Sequence, residues 1–125
     1  MSGRWIGALV VWIGALEPAA EAVPGVTLTA TGTCPGTVEF RASGGTPGGV
    51  FAAVRAPGAG AVYVPSGPCI GTQLGLNASV RLLAERRFDA SGTFVAVATL
   101  GAGSCGRHYQ VLDLSDCSTS DVAVR

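Results

Sequence analysis

Residues 88–124 read FDASGTFVAVATLGAGSCGRHYQVLDLSDCSTSDVAV, and this stretch decides the fold. Clusters of Gly, Ser and Asp separate three short runs that are rich in apolar residues, as turns separate strands. We therefore expect strands over 93–100, 108–114 and 120–124. Residues 93–100 are apolar on both faces, which predicts a central strand of a sheet.

The same pattern continues toward the N-terminus. Residues 26–31 alternate between apolar side chains and threonine, and residues 37–42 place Val38, Phe40 and Ala42 on one face. Such alternation is typical of half-buried strands. The remaining strands are expected at 50–55, 61–64 and 80–86. Segment 43–49 is rich in Gly and Pro and is expected to be a flexible loop, and segment 65–75 to be an irregular crossing.

About seven short strands, frequent turns and no convincing helix predict an all-β fold. The expected architecture is an antiparallel two-sheet sandwich, with a small closed barrel as the alternative. The chain of 125 residues is long enough for one such domain.

The first 22 residues have the anatomy of a signal peptide. A short segment with Arg4 precedes a 12-residue apolar run, Trp5–Leu16, and Ala20-Glu21-Ala22 fits the small-x-small cleavage pattern. A membrane-spanning helix needs about 20 apolar residues, so the run is too short to span. We therefore expect cleavage after Ala22, a mature domain of residues 23–125 without a membrane span, and a secreted or periplasmic protein.

The charge balance argues against nucleic acid as a partner. The formal net charge is zero, and only 13% of the residues are charged. The sequence contains no long basic run and no block of like charges that would attract a polyanion or a polycation. The predicted surface is therefore weakly charged, which suits contact with another protein.

Four cysteines in an exported chain predict two disulfide bonds. Their spacings of 35, 36 and 12 residues include no C-x-x-C pair, which argues against a zinc site. A Cys105–Cys117 bond would join the two ends of an extended strand of about 23 Å, whereas a disulfide needs Cα atoms within about 7 Å. Because successive turns alternate between the two ends of a sandwich, we expect the pairs Cys34–Cys105 and Cys69–Cys117.

Three motifs near the end of the chain resemble a known family. They are Asp89-x-x-Gly92-x-Phe94, Tyr109-Gln110-x-x-Asp113 and Cys117-x-x-Ser120. Together they resemble the end of immunoglobulin-like or fibronectin-III-like modules of secreted bacterial proteins. This resemblance covers about the final 37 residues and implies a β-sandwich, without implying a ligand. The chain departs from antibody-type domains because no Trp follows Trp12.

The candidate catalytic residues do not form a convincing set. Ser104 narrowly misses the G-x-S-x-G motif, and the strand–turn–helix context of that motif is lacking. His108 is the single histidine, and it and Asp113 should point to opposite faces of their strand. We therefore expect no catalytic site and no cofactor.

The three aspartates near the last turn are the candidate metal ligands. Asp113, Asp116 and Asp121 lack the repeat spacing of a calcium loop, which favours a solvated turn. We therefore expect no metal site.

These observations favour a secreted structural or protein-binding module that acts through an edge strand or its end loops, on itself or on another protein. One alternative is a small-ligand or carbohydrate-binding domain, for which Phe51, Tyr63 and Tyr109 are the aromatic candidates. A further alternative is an enzyme inhibitor that presents the segment Pro65–Cys69.

Overall fold

The structure is a computed structural model that describes residues 25–125. The expected signal peptide, residues 1–22, lies outside the described residues. In the described part, strands make up nearly all of the regular structure, beside one 3-10 turn at Ala102–Ser104. The nine strands are β1 (Thr27–Gly32), β2 (Gly36–Ser43), β3 (Val50–Ala56), β4 (Ala59–Tyr63), β5 (Gln73–Leu76), β6 (Arg81–Arg87), β7 (Phe94–Leu100), β8 (His108–Asp113) and β9 (Ala123–Val124).

The strands form three antiparallel sheets, which confirms the prediction of an all-β, antiparallel fold. A four-stranded sheet has the order β9-β8-β3-β6, and a three-stranded sheet has the order β1-β2-β7. Strands β4 and β5 form a separate two-stranded sheet. Each paired register is antiparallel.

Two expectations about individual strands are wrong. The first three residues of strand β5 (Gln73–Leu76) lie in the segment 65–75 that was expected to be irregular, and Leu74 and Leu76 of this strand are buried. Strand β7 is an edge strand within the described part of the chain, because it pairs with β2 alone. Its outward Val95 and Val97 are 41% and 64% exposed, and they give the strand its apolar composition on both faces.

The four-stranded sheet is covered on both faces. On one face, Phe51 and Val111 pack with Leu28 and Ala42 of the three-stranded sheet. On the other face, the β4-β5 pair covers β3 through a cluster of aliphatic side chains, and the segment around Cys69 covers β8. The aliphatic members of the first of these clusters are Val54, Ala56, Leu74 and Leu76.

Two disulfide bonds join different parts of this arrangement. Cys34–Cys105 connects the β1–β2 turn to the segment leading into β8, with Cα atoms 5.5 Å apart. Cys69–Cys117 connects the β4–β5 segment to the turn after β8, with Cα atoms 5.4 Å apart. These are the two pairs that the alternation of turns predicts.

The turn between β6 and β7 is organised by Asp89. Its Oδ1 accepts hydrogen bonds from the backbone of Thr93 and from the backbone and hydroxyl of Ser91, at 2.8–2.9 Å. The bond from Thr93, followed by those from Ser91, holds the pKa of the Asp89 carboxyl below its ordinary value. This turn connects the edge strands of the two larger sheets.

Candidate functional site

The structure does not bring Ser104, His108 and Asp113 together as a nucleophilic triad. His108 and Asp113 begin and end β8, where their register partners on β3 are Ala56 and Phe51. Because an odd number of positions separates them in an extended strand, they lie on opposite faces. Ser104 lies in the 3-10 turn that precedes β8.

The three aspartates near the last turn bind three different parts of the chain. Asp116 accepts hydrogen bonds from the backbone and hydroxyl of Ser118, and Asp121 accepts one from the backbone of Leu28. Among residues 25–125, no group of three or more His, Cys, Asp or Glu side chains is placed to hold a metal ion.

Asp113 is completely buried, so the expectation of a solvated turn is wrong for this residue. Its Oδ2 accepts hydrogen bonds from the backbone and the hydroxyl of Thr46, at 2.8 and 2.9 Å. Its Oδ1 accepts a third, from the backbone of Ser115 at 2.9 Å. Gly45 also donates to the carbonyl of Gly92. The Gly/Pro-rich loop was expected to be a flexible connection, and these hydrogen bonds hold it in place instead.

The aromatic residues expected to bind carbohydrate do not form a common platform. Phe51 and Tyr109 are 1% and 6% exposed and lie in the core. Tyr63 is 61% exposed on β4, in a different sheet. In the segment proposed for enzyme inhibition, Cys69 is buried and bonded to Cys117.

A cleft of about 350 Å³ lies between the three-stranded and four-stranded sheets. Both edge strands contribute to it: β7 through Ala96, Ala98 and Leu100, and β6 through Leu83 and Ala84. Within the described residues, β6 and β7 each pair on one side, so the cleft lies where the two sheets have free edges. This volume falls in the lower part of the range of about 300–1,000 Å³ that is usual for ligand sites.

Alanine side chains leave this space open. Ala96 and Ala98 of β7, Ala53 of β3 and Ala84 of β6 line the cleft, and each is half-buried. Larger side chains at these positions would fill the volume between the sheets. In the sequence, the cleft is visible only as alanines at the inward-facing positions of the strands. The strands could be predicted from their alternation, whereas the cleft was missed.

Aromatic rings close one end of the cleft. The ring of Phe51 packs against those of Phe88 and Phe94, with centroids 4.6 and 5.0 Å apart. Phe88 is in turn covered by the Gly/Pro-rich loop, where a Cβ on Gly45 would lie 2.4 Å from the Phe88 ring. This close approach requires glycine at position 45.

Arginine side chains surround the opposite end of the cleft. Arg55 lines both the cleft and an adjoining pocket of about 260 Å³, to which Arg81, Arg107 and Ser79 also contribute. Among residues 25–125, no carboxylate lies within 4.0 Å of these three guanidinium groups. Successive arginines of this cluster are 26 positions apart along the chain, so no local sequence pattern predicts the cluster. The pairing of strands brings them together.

Neither the protein-family models nor the curated proteins compared with this chain give a match. Residues 25–125 include no helix with the length and apolar character that crossing a membrane requires.

Proposed function

We propose that this chain is an exported, non-catalytic binding module with an immunoglobulin-like two-sheet sandwich, and that the cleft binds the apolar part of a small ligand. The observation that carries this proposal is the open, alanine-lined space between the two sheets. The two disulfides support export, because such bonds persist in oxidising compartments outside the cytoplasm. The resemblance of the C-terminal motifs to those of secreted immunoglobulin-like modules also supports the proposal.

The composition of the walls defines the ligand class. Aliphatic and aromatic side chains from both sheets dominate the cleft. The lining residues that carry polar side-chain groups are Arg55, Arg86, Gln110 and Tyr109. Burial of each methylene contributes about 0.8 kcal/mol. A ligand therefore needs a run of several methylenes or a ring system to offset the cost of association.

A neutral fluorescent probe tests this function. N-phenyl-1-naphthylamine fluoresces strongly in apolar sites, and the wild-type protein should bind it saturably with one site per chain. Ala96→Leu places additional methylenes in the cleft and should weaken binding by about tenfold or more, because the probe and the leucine compete for the same volume. Val97→Leu is the matched control, since residue 97 points outward from the same strand and is 64% exposed.

Thermal unfolding should show that both variants are folded. If the wild-type protein does not bind the probe, or if Ala96→Leu binds as tightly as Val97→Leu, the cleft is not the ligand site.

A second candidate function is strand addition at β7. This strand presents an unpaired edge within the described part of the chain, and Val95 and Val97 are exposed beside it. An extended segment of a second copy or of another protein would extend the three-stranded sheet by hydrogen bonding to that edge. This function agrees with the protein partner expected from the sequence.

Size-exclusion chromatography with light scattering separates the two functions. If β7 pairs between copies, the wild-type protein should form dimers, and Val97→Lys should shift it to monomers because the charge blocks the edge. A monomeric wild-type protein that binds the neutral probe favours the cleft function.

A further inference from the structure

We propose that the ligand of the cleft is a free, single-chain aliphatic carboxylic acid whose carboxylate is bound by Arg55, Arg81 and Arg107. This inference rests on the proposed function and specifies the chemistry of its ligand. The apolar chain would lie between the sheets, and the acid group would lie in the adjoining basic pocket.

The strand register concentrates positive charge at one end of the cleft. Arg55 of β3 is the direct cross-strand partner of Arg81 of β6. Like charges directly opposite each other in a sheet are unfavourable, so a bound anion would relieve this repulsion. Arg107 is positioned by a pair of backbone hydrogen bonds with Arg125, at 3.0 and 3.1 Å.

The carboxylates of the described residues do not neutralise this cluster. Asp113 is the register partner of Phe51, and Asp89 follows Phe88, so both lie at the aromatic end of the cleft. The one ion pair within residues 25–125 joins Arg41 to Glu39 on β2. The aromatic end of the cleft carries one arginine, Arg86, which is the register partner of Phe51 and donates to the backbone carbonyl of Glu85. The opposite end carries three arginines, and this asymmetry matches a ligand with an apolar tail and an anionic head.

A buried polar group beside the cleft also lacks a partner. Tyr109 lines the cleft and is the cross-strand neighbour of Arg55. Its hydroxyl is buried, and no hydrogen-bond partner is present for it among the described residues. An anion bound at Arg55 would give this isolated hydroxyl an acceptor if the Tyr109 ring turned toward it on binding.

The dimensions of the cleft favour one chain of medium length. Arg55 lies four positions after Phe51 on β3, which corresponds to about 13 Å at 3.3 Å per residue. A volume of about 350 Å³ is at the small end of the range for ligand sites, which favours one aliphatic chain over the paired chains of a bilayer lipid. Guanidinium groups bind carboxylates through two parallel hydrogen bonds, so Arg55 and its neighbours suit the acid group.

Competition against N-phenyl-1-naphthylamine tests the inference with two probes of equal chain length. Decanoate should displace the dye from the wild-type protein at least about tenfold more effectively than decan-1-ol, and added salt should reduce this preference because it screens charge. Arg81→Gln should reduce the preference by weakening the binding of decanoate while leaving that of decan-1-ol unchanged, and an undiminished preference would contradict the role of this arginine. Because Arg81 is exposed on an edge strand, the variant should fold.

Two control variants complete the experiment. Arg41→Gln removes an arginine that is paired with Glu39 outside the cleft, and it should retain the full preference for decanoate. Tyr109→Phe should weaken decanoate a few-fold without changing the binding of decan-1-ol.

The failures of the two proposals are distinguishable. If the neutral dye binds but decanoate and decan-1-ol displace it equally, the acid-binding inference is overturned and the apolar cleft stands. If decyl phosphate binds more tightly than decanoate, the assignment to a carboxylic acid is overturned. If the protein sediments with anionic lipid vesicles and Ala96→Leu sediments equally, the basic surface binds a bilayer and the free-acid inference fails.

Discussion

Replacing Asp113 with alanine should be among the most destabilising single changes in the described residues. The carboxylate is fully buried and accepts three hydrogen bonds, two from Thr46 and one from Ser115. Hydrogen bonds to a charged group contribute about 1.5–3 kcal/mol each, so the three sum to at least about 4.5 kcal/mol. Water that enters the vacated space would satisfy some of the donors, and we therefore expect a loss of about 4 kcal/mol. For a domain of this size, the loss corresponds to a decrease in Tm of about 20 °C.

Equilibrium unfolding in urea, with both disulfides intact, measures this effect. Asp113→Asn keeps one acceptor oxygen and should lose about half as much stability as Asp113→Ala. Asp116→Ala is the matched control, because Asp116 lies in the same turn, is exposed and bonds to Ser118 alone. It should lose about 1 kcal/mol or less. Equal losses for Asp113→Ala and Asp116→Ala would refute the reasoning that the buried carboxylate secures the loop.

Two further predictions concern the disulfides and pH. Chain entropy assigns about 4 kcal/mol to each disulfide, but replacing Cys69 and Cys117 by serine should cost more than replacing Cys34 and Cys105, because Cys69 is 2% exposed in an apolar cluster. Equal losses in urea unfolding would contradict this packing contribution. The pKa of Asp89 is lower in the folded state than in the unfolded state. The ionised Asp89 therefore makes its full contribution to folding stability above the ordinary aspartate pKa of about 3.9, and this contribution is lost as pH falls through the lower folded-state pKa. The Tm advantage of the wild-type protein over Asp89→Asn should therefore shrink between about pH 6 and pH 2, and a constant difference would contradict it.

The strands with strict alternation were predictable from the sequence. In residues 26–31 and 37–42, each inward position carries an apolar side chain, and Val38 is completely buried in the structure. The disulfide pairs were also predictable. Successive turns alternate between the two ends of the fold, so the position of a cysteine in this series of turns assigns it to one end. Both arguments use information that is local to each strand or turn.

Features that depend on contacts between distant segments were not predictable. Strand β5 has four residues, too few for its period to stand out from the surrounding turns, and its partner β4 defines it. The position of β7 at an edge depends on which strands lie beside it, and its own composition does not reveal that. The sequence did not predict the burial of Asp113, because its hydrogen-bond donor Thr46 is 67 positions away.

The candidate site also combines features that are local to one strand with features that depend on contacts between distant segments. The small inward residues of β7 are visible in the sequence, but whether their space is filled depends on the opposite sheet. Arg55 and Arg81 become neighbours through the register of β3 and β6, which includes a shift between Ala53 and Val54. A prediction made from each segment separately would therefore not identify this pair of arginines.

The side chains that shape the cleft are separate from those that secure the fold. Ala53, Ala84, Ala96 and Ala98 line the space between the sheets, and none of them takes part in a disulfide bond or in the hydrogen bonds of Asp113. In the proposed function, exchanging these alanines for larger or smaller residues would change the size and shape of the ligand that fits, while the supporting network stays in place. On that proposal, the chain is a scaffold on which ligand selectivity can diverge in evolution, or be redesigned, through four positions.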